Sequence, residues 1–528
     1  GLGSRDFVSR PQQRGSLVHV FPPPQAARQA RQVTMTGQPH VVFLNMAAAG
    51  HMNPTLPLVA ELDARGCKVT YFVDAVMREV VEAAGAQWRP FRYPQRPDLS
   101  GLPPALDELA VAEVVPEGIP KEEYSDFPSG ILYWTEQMLP ALVEDLQALA
   151  PAPAVLVYEP FLAAGRVAAK AMGIPAVGLF TMPGPGVFTM PSEKLEAQPW
   201  VDKPRRAIAE RYGVDVLEDG MIMESYSPVV NIVTTIDALF APPRTEQQIR
   251  RFGHFPFACV GVLMDTKVKR VSQSPGSGLA AGPAAAGRPG AGHDLGAALP
   301  TELLQEAQQA GRKVIYVSLG TVATNNAFWG KPFADFAPEE EGGRRPLSDI
   351  TGKEFCQRAW RICFDALGGD NAFLVVLSLG PKEDALEGLP AVPDNFVVRS
   401  IVPQLEMLRL SDAMVTHGGA NSMHEALGFG VPLAVVPIFG DQPANADTVA
   451  RSGAGVSFRD PMRTLSAASL RRAVAGLAAP GAGNSQRLAA QGVQQQLAAA
   501  GGVPAAADIV LKHAVAHHGP GAPEVGGA

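Results

Sequence analysis

The chain has 528 residues, 46% of them hydrophobic and 18% charged, which is enough apolar material for two or three packed domains. Its net charge of −8 gives no basic surface of the kind a nucleic acid selects, and no run of about 18 apolar residues is there to cross a membrane. The four cysteines, Cys67, Cys259, Cys356 and Cys363, are too few and too scattered for a disulfide framework or a zinc site, so a reducing compartment fits.

Residues 1–38 set five arginines against a single acid, Asp6, and show no hydrophobic period. The segment reads either as a transit peptide or as a leader ahead of a start at Met35, and as disordered in both cases. His40 to Met46 predicts a buried strand, and Ala47 to Pro54 the turn after it. Pro54 suits the first turn of a helix that stops at Gly66. Lys68–Asp74 and Gln87–Tyr93 predict further strands around a helix over Val76–Ala84. This βαβαβ order implies a parallel sheet. Residues 94–130 are irregular and Pro-rich. A helix over 131–149, a strand over 154–158, a helix over 161–172 and a strand over 174–180 follow. Residues 181–228 read as loops and short helices lined with Met, Phe and Trp. Strands at 231–235 and 257–262 close this half, which spans 39–265.

Residues 266–310 carry a Ser/Pro/Gly run and an Ala/Gly/Pro tract, the composition of a flexible linker. A second α/β half follows over 311–500. Its strands are expected at Lys313–Leu319, Phe373–Leu379, Phe396–Arg399, Ala413–Thr416 and Val431–Pro437, and Trp329–Gly352 reads as an inserted loop. Pro504 to His513 predicts a last helix, within a segment 501–514. Residues 515–528 read as a disordered tail, and His513, His517 and His518, with their i, i+4 spacing, as a frayed surface end rather than a metal site.

The stretch from Arg399 to Gln442 carries the densest chemistry. After the apolar run Ala413–Thr416 the chain turns through His417-Gly418-Gly419 into a helix. Its free N–H groups and the side chains of Asn421 and Ser422 suit a phosphate. Glu425 lies one helical turn beyond Asn421 on the same face, where a carboxylate accepts from two ribose hydroxyls. Asp441 and Gln442 leave the next strand at the same crevice.

Pro403-Gln404, His417-Gly418-Gly419, Asn421-Ser422, Glu425, Gly430-Val431-Pro432, Pro437 and Asp441-Gln442 resemble, in order and spacing, the donor signature of UDP-dependent glycosyltransferases. The resemblance covers roughly residues 38–514 apart from the linker and the inserted loop. It implies the two-lobed GT-B fold, with two Rossmann-like parallel-sheet domains facing a cleft. The acceptor would bind to the first domain and the UDP-sugar to the second, and the segment 501–514 would return to the first. Ser318 and Thr321 resemble the loop that flanks the diphosphate. Ile401, followed by Val402, stands where many members stack a tryptophan on uracil. Asp441-Gln442 resembles the sugar-contacting pair of glucosyl and galactosyl transferases.

Gly50-His51-Met52-Asn53-Pro54 resembles the first-lobe motif of macrolide-type glycosyltransferases, in which the histidine is the general base. Glu159, in Tyr158-Glu159-Pro160-Phe161, holds the place where the family usually has the aspartate that orients this base; it is one methylene longer. No Asp-x-Asp pair exists in the chain, so no metal and no cofactor beyond the sugar nucleotide are expected. The resemblance implies an inverting, metal-independent transfer of a hexose, glucose foremost, from a UDP-sugar to a hydroxyl of a small apolar acceptor (a polyketide, phenolic, terpenoid or sterol). The alternatives are a UDP-sugar epimerase of similar fold, or a UDP-sugar-binding protein with a weakened base. The expected location is the cytoplasm, or an organelle if residues 1–34 are a transit peptide.

Overall fold

The computed structural model describes residues 38–93, 127–187, 199–217, 224–271, 299–321, 323–324, 329–330, 350–481 and 483–518. The leader up to residue 37, most of the loop at 94–130, the central linker, residues 331–349 and residues 519–528 lie outside the described residues.

Two wholly parallel sheets form the frame. The first runs β1 (His40–Leu44), β2 (Lys68–Phe72), β3 (Gln87–Arg89), β4 (Val155–Tyr158), β5 (Ala176–Phe180), β6 (Val230–Val233) and β7 (Phe257–Cys259) in chain order, and 3-2-1-4-5-6-7 in space. The second contains β8 (Lys313–Ser318), β9 (Phe373–Ser378), β10 (Phe396–Arg399), β11 (Ala413–Thr416), β12 (Leu433–Val435) and β13 (Gly455–Ser457), in the spatial order 10-9-8-11-12-13. The central strands need helices on both faces, because their side chains are apolar on both. The sequence His40-Val-Val-Phe-Leu44 is buried at every position. Val42 and Leu44 face one apolar cluster with Trp134 and Leu142, while Val41 and Phe43 face another with Leu58 and Val59.

Both sheets reverse their winding direction once. The reversal falls between β1 and β4 in the first, and between β8 and β11 in the second. A crevice opens outside the carboxyl ends of the strands at such a point. The residues leaving β1 and β4 include His51 and Glu159; those leaving β8 and β11 include Ser318 and His417.

Several elements differ from the sequence reading. The turn after β1 contains a short helix, Ala49–Met52, ahead of the helix Thr55–Ala64. The long helix before β4 begins at Phe127. Residues 266–310 are not a flexible linker at either end. Residues 266–271 are held against both halves, with Val271 exchanging two hydrogen bonds with the Asn53 amide at 2.8 and 3.0 Å. Thr301–Gln309 is a helix that buries Leu304 and Ala307 in the second half. Composition marked the segment as mobile, but isolated apolar side chains at its ends have partners elsewhere in the chain. The last helix, Gly502–His518, runs past the expected start of the tail at residue 515. It places Ala506, Ala507, Val510 and Ala514 in the core of the first half, against Val41 and Val155. Arg65 adds an ion pair to Asp508 at 2.5 Å.

The close seating of the helix Ala163–Met172 on β4 depends on a missing side chain. A Cβ at Gly165 would lie 2.4 Å from the Tyr158 side chain, whose hydroxyl is fixed by a 2.7 Å bond to the Ser225 carbonyl. Neither partner has room to yield. Gly165→Ala is therefore expected to lower stability by about 2 kcal/mol, read as a reduced urea midpoint at unchanged m-value. Gly476→Ala, on an exposed helix face with its nearest neighbour 3.7 Å away, is expected to be neutral or slightly stabilising.

Candidate active site

The first-half site grows from the end of β1. Asn45 is buried and anchors the loop. Its amide nitrogen donates to the His51 carbonyl at 3.0 Å and to the Tyr71 hydroxyl at 2.9 Å, and its oxygen accepts from the Met46 amide. The Tyr71 hydroxyl also meets Thr55 at 2.6 Å. Residue spacing along the chain holds no sign of these supports, because β2 brings Tyr71 in from the side. His51 then stands with its side chain 13% exposed. Its Nδ1 lies 2.9 Å from Glu159 Oε2, and its ring packs on Phe161 with centroids 4.9 Å apart.

Glu159 follows β4 directly, and its backbone N–H donates to the Leu44 carbonyl, so the two strands carry the pair in register. The Glu159 side chain is only 2% exposed, and among the described residues its Oε1 has no hydrogen-bond partner. The extra methylene therefore does not break the contact with His51. In the neutral imidazole, Nδ1–H donates to the carboxylate, which leaves Nε2 with a free lone pair.

The second-half site gathers at the helix Ala420–Gly428, whose N-terminal end follows the turn His417-Gly418-Gly419. Gly418 has φ +84°, and a Cβ there would meet Val435 at 2.5 Å, so only glycine fits. The His417 ring is buried between Gly320 and Gly419; a Cβ on either glycine would come within 2.5 Å of it. Burial drives its pKa down to about 4, although a hydrogen bond to the Ser318 backbone opposes this. The Thr416 hydroxyl lies 3.4 Å from its Nδ1, and the backbone N–H groups of the helix start beside it suit an anion. Thr321, Ile401 and Ser422 are half-buried around the same end of the sheet, and Val402 is buried in the core beneath it.

Glu425 is buried, and both its oxygens are in use. Gln404 Nε2 donates to Oε2 at 2.6 Å, and Arg270 donates to Oε1 at 2.6 Å. Arg270 lies in the segment whose composition reads as linker, so nothing in the sequence pointed to it. Asn421 also differs from expectation, since its amide nitrogen donates across to the Gly50 carbonyl in the His51 loop. The acceptor end of Gln442 turns back onto the backbone N–H groups of Ile438 and Phe439 at 2.8 and 3.2 Å, leaving only its NH2 for a ligand. Asp441 is held by Asn445 at 2.6 Å. Burial pushes its pKa up to about 6; the Asn445 amide, backbone amides and the nearby His51 pull it back.

The fold and this cleft define a glycosyltransferase of the GT-B class, the two-lobed architecture that the signature residues implied. Residues 369–519 match the family described as Erythromycin biosynthesis protein CIII-like, C-terminal domain. NDP-glycosyltransferase YjiC of Bacillus licheniformis is 27% identical over 448 residues, covering 83% of this chain and 89% of that relative. Oleandomycin glycosyltransferase of Streptomyces antibioticus is 26% identical over 92% of this chain and 93% of its own. The crystal structure of the glycotransferase of kitacinnamycin superposes with a TM-score of 0.60 at 24% identity, covering 91% of this chain and all of the other. The chain is a glycosyltransferase, and the relatives it resembles over most of their length are named for nucleotide-sugar and natural-product transfer. Among the described residues no helix is long and apolar enough to cross a membrane.

Across the two halves, His424 is fully buried and bonds Thr235 at 2.8 Å. Burial lowers its pKa to about 4, as for His417. A histidine whose folded pKa lies below its unfolded value near 6.5 favours unfolding as pH drops from about 6.5 to 4. Each contributes a loss of roughly 3 kcal/mol over that window. Asp441 has the opposite sign, because its raised pKa relieves a cost as pH falls through 6. Two histidines outweigh one carboxylate, so thermal stability is expected to fall on acidification from pH 7 to 4.5. The drop should be smaller in His424→Gln, as scanning calorimetry at both pH values would show.

Proposed function

We propose that the protein is an inverting, metal-independent transferase that moves a hexose, glucose foremost, from a UDP-sugar to a hydroxyl of a small apolar acceptor such as a polyketide, phenolic, terpenoid or sterol. It needs no cofactor beyond the donor. The observation that carries this reading is the 2.9 Å contact between His51 Nδ1 and Glu159 Oε2 at the strand ends facing the second half. Epimerisation of a sugar nucleotide involves no acceptor hydroxyl, and a base pair in the first lobe would have no acceptor to serve.

In the reaction, His51 Nε2 takes the proton of the acceptor hydroxyl as its oxygen attacks the anomeric carbon. Glu159 holds the ring and stabilises the imidazolium that forms. The bond from the anomeric carbon to the diphosphate breaks on the opposite face, and its electron pair leaves with the phosphate oxygen. A single displacement of this kind inverts the anomeric configuration. The N-terminal end of the helix Ala420–Gly428 is assigned to that charge, which its backbone N–H groups would stabilise. The Glu425 carboxylate is assigned to the ribose, Ile401 to the face of the base, and Asp441 with the Gln442 amide to the sugar hydroxyls. Ser318 and Thr321 flank the diphosphate.

His51→Ala is expected to lower kcat by two or more orders of magnitude with little change in UDP affinity. Turnover near wild type would remove His51 from the chemistry. Glu159→Gln is expected to slow turnover through loss of the charge, and Glu159→Asp because the shorter side chain no longer spans the gap. A marked gain in Glu159→Asp would show an impaired native pair. Both sets are read by mass spectrometry of products from UDP-sugars with phenol and macrolide acceptors, with dTDP-glucose alongside, since aliphatic Ile401 sets no strong base preference.

A further inference from the structure

Residues 270–271 form a bridge that neither the transfer chemistry nor the signature accounts for. Val271 is gripped on both sides of its peptide backbone by the Asn53 side chain, whose oxygen accepts from the Val271 N–H and whose nitrogen donates to its carbonyl. Asn53 lies two residues from His51 in the same loop. The neighbouring Arg270 reaches the other half, where its guanidinium meets Glu425 Oε1 at 2.6 Å. Arg270 is 21% exposed and Glu425 4%, so solvent screens this pair far less than a surface ion pair. Gln404 holds the second oxygen.

We propose that Arg270 is a positioning residue of the nucleotide site. Anchored through Val271 to the His51 loop, it fixes the Glu425 carboxylate in the orientation that receives the ribose hydroxyls. The assignment rests on the reading of Glu425 as the ribose seat. An ionised carboxylate has about four lone-pair directions. Arg270 occupies one on Oε1 and Gln404 one on Oε2, leaving one on each oxygen, which matches a vicinal pair of hydroxyls. Without Arg270, a buried carboxylate loses its charged partner, and its side chain is free to turn toward water or toward Gln404 alone. The path Asn53–Val271–Arg270–Glu425 also makes the seat depend on the first half: the donor is gripped when the loop carrying the base is in place.

Calorimetry with two ligands separates this from the alternatives: UDP, and its 2′,3′-dideoxy analogue, which lacks both hydroxyls. Wild type should bind UDP more tightly than the analogue. Arg270→Ala should weaken UDP roughly tenfold, the scale of one charge-assisted hydrogen bond, and leave the analogue unchanged, so that the gap between the ligands closes. Arg270→Lys should restore part of the gap, and unaltered analogue binding shows that each variant is folded. Tighter UDP binding in Arg270→Ala would mean that the guanidinium plugs the seat, and equal weakening of both ligands would mean a general structural or charge effect; either overturns the proposal, as does a gap that persists. If wild type itself does not distinguish the two ligands, the ribose does not sit at Glu425, and the site reading fails before the role of Arg270 arises.

Discussion

Glu159 is a carboxylate buried at the end of a parallel strand, in a place where water does not reach it. Such a group persists only against a donor, and His51 is the donor this structure supplies, at 2.9 Å. The requirement propagates outward. The donor hangs from β1, one of the two strands beside β4. The loop after β1 must turn back over the sheet, which the short helix Ala49–Met52 and the Asn45 anchor achieve. The ring must be kept from swinging away, and Phe161, two residues past Glu159, lies against it. The outcome is an imidazole fixed through Nδ1, with Nε2 outside that contact.

The second half uses the same topological device. At its own reversal point the buried histidine, His417, is sandwiched by two glycines, which fixes its ring at the start of the helix Ala420–Gly428. His417 follows β11, the counterpart of β4, so in the second sheet the histidine stands where the first sheet has Glu159. Contacts that cross the cleft tie the halves at the chemistry itself: Asn421 to Gly50, and the strap of residues 270–271 between Asn53 and Glu425.

Much of this was legible in the sequence. Continuous apolar runs such as His40–Met46 and Ala413–Thr416, separated by helices, announced two parallel sheets, and the residues at their strand ends marked both sides of the cleft. What stayed hidden depends on partners distant in the chain. Arg270 sits beside a tract of Ser, Gly and Ala, and local composition assigns the whole segment to a linker. Its value lies in an ion pair 155 positions away. Asn421 and Gln442 were assigned to a ligand from their place in the signature, but each is a side-chain amide next to an unpaired backbone group. Only the folded chain shows that the Gly50 carbonyl and the Ile438 N–H claim them first. The short helix after β1 has no cap or period to reveal it.

The central claim is that Glu159 holds His51 in the tautomer that leaves Nε2 free. Nitrogen-15 NMR of the histidine-labelled protein tests it most directly, with His51 assigned by its disappearance in His51→Ala. In the neutral ring the account predicts the proton on Nδ1, with the Nε2 resonance in the unprotonated range, and loss of that preference in Glu159→Gln. A ring protonated at Nε2, or one indifferent to residue 159, would contradict it.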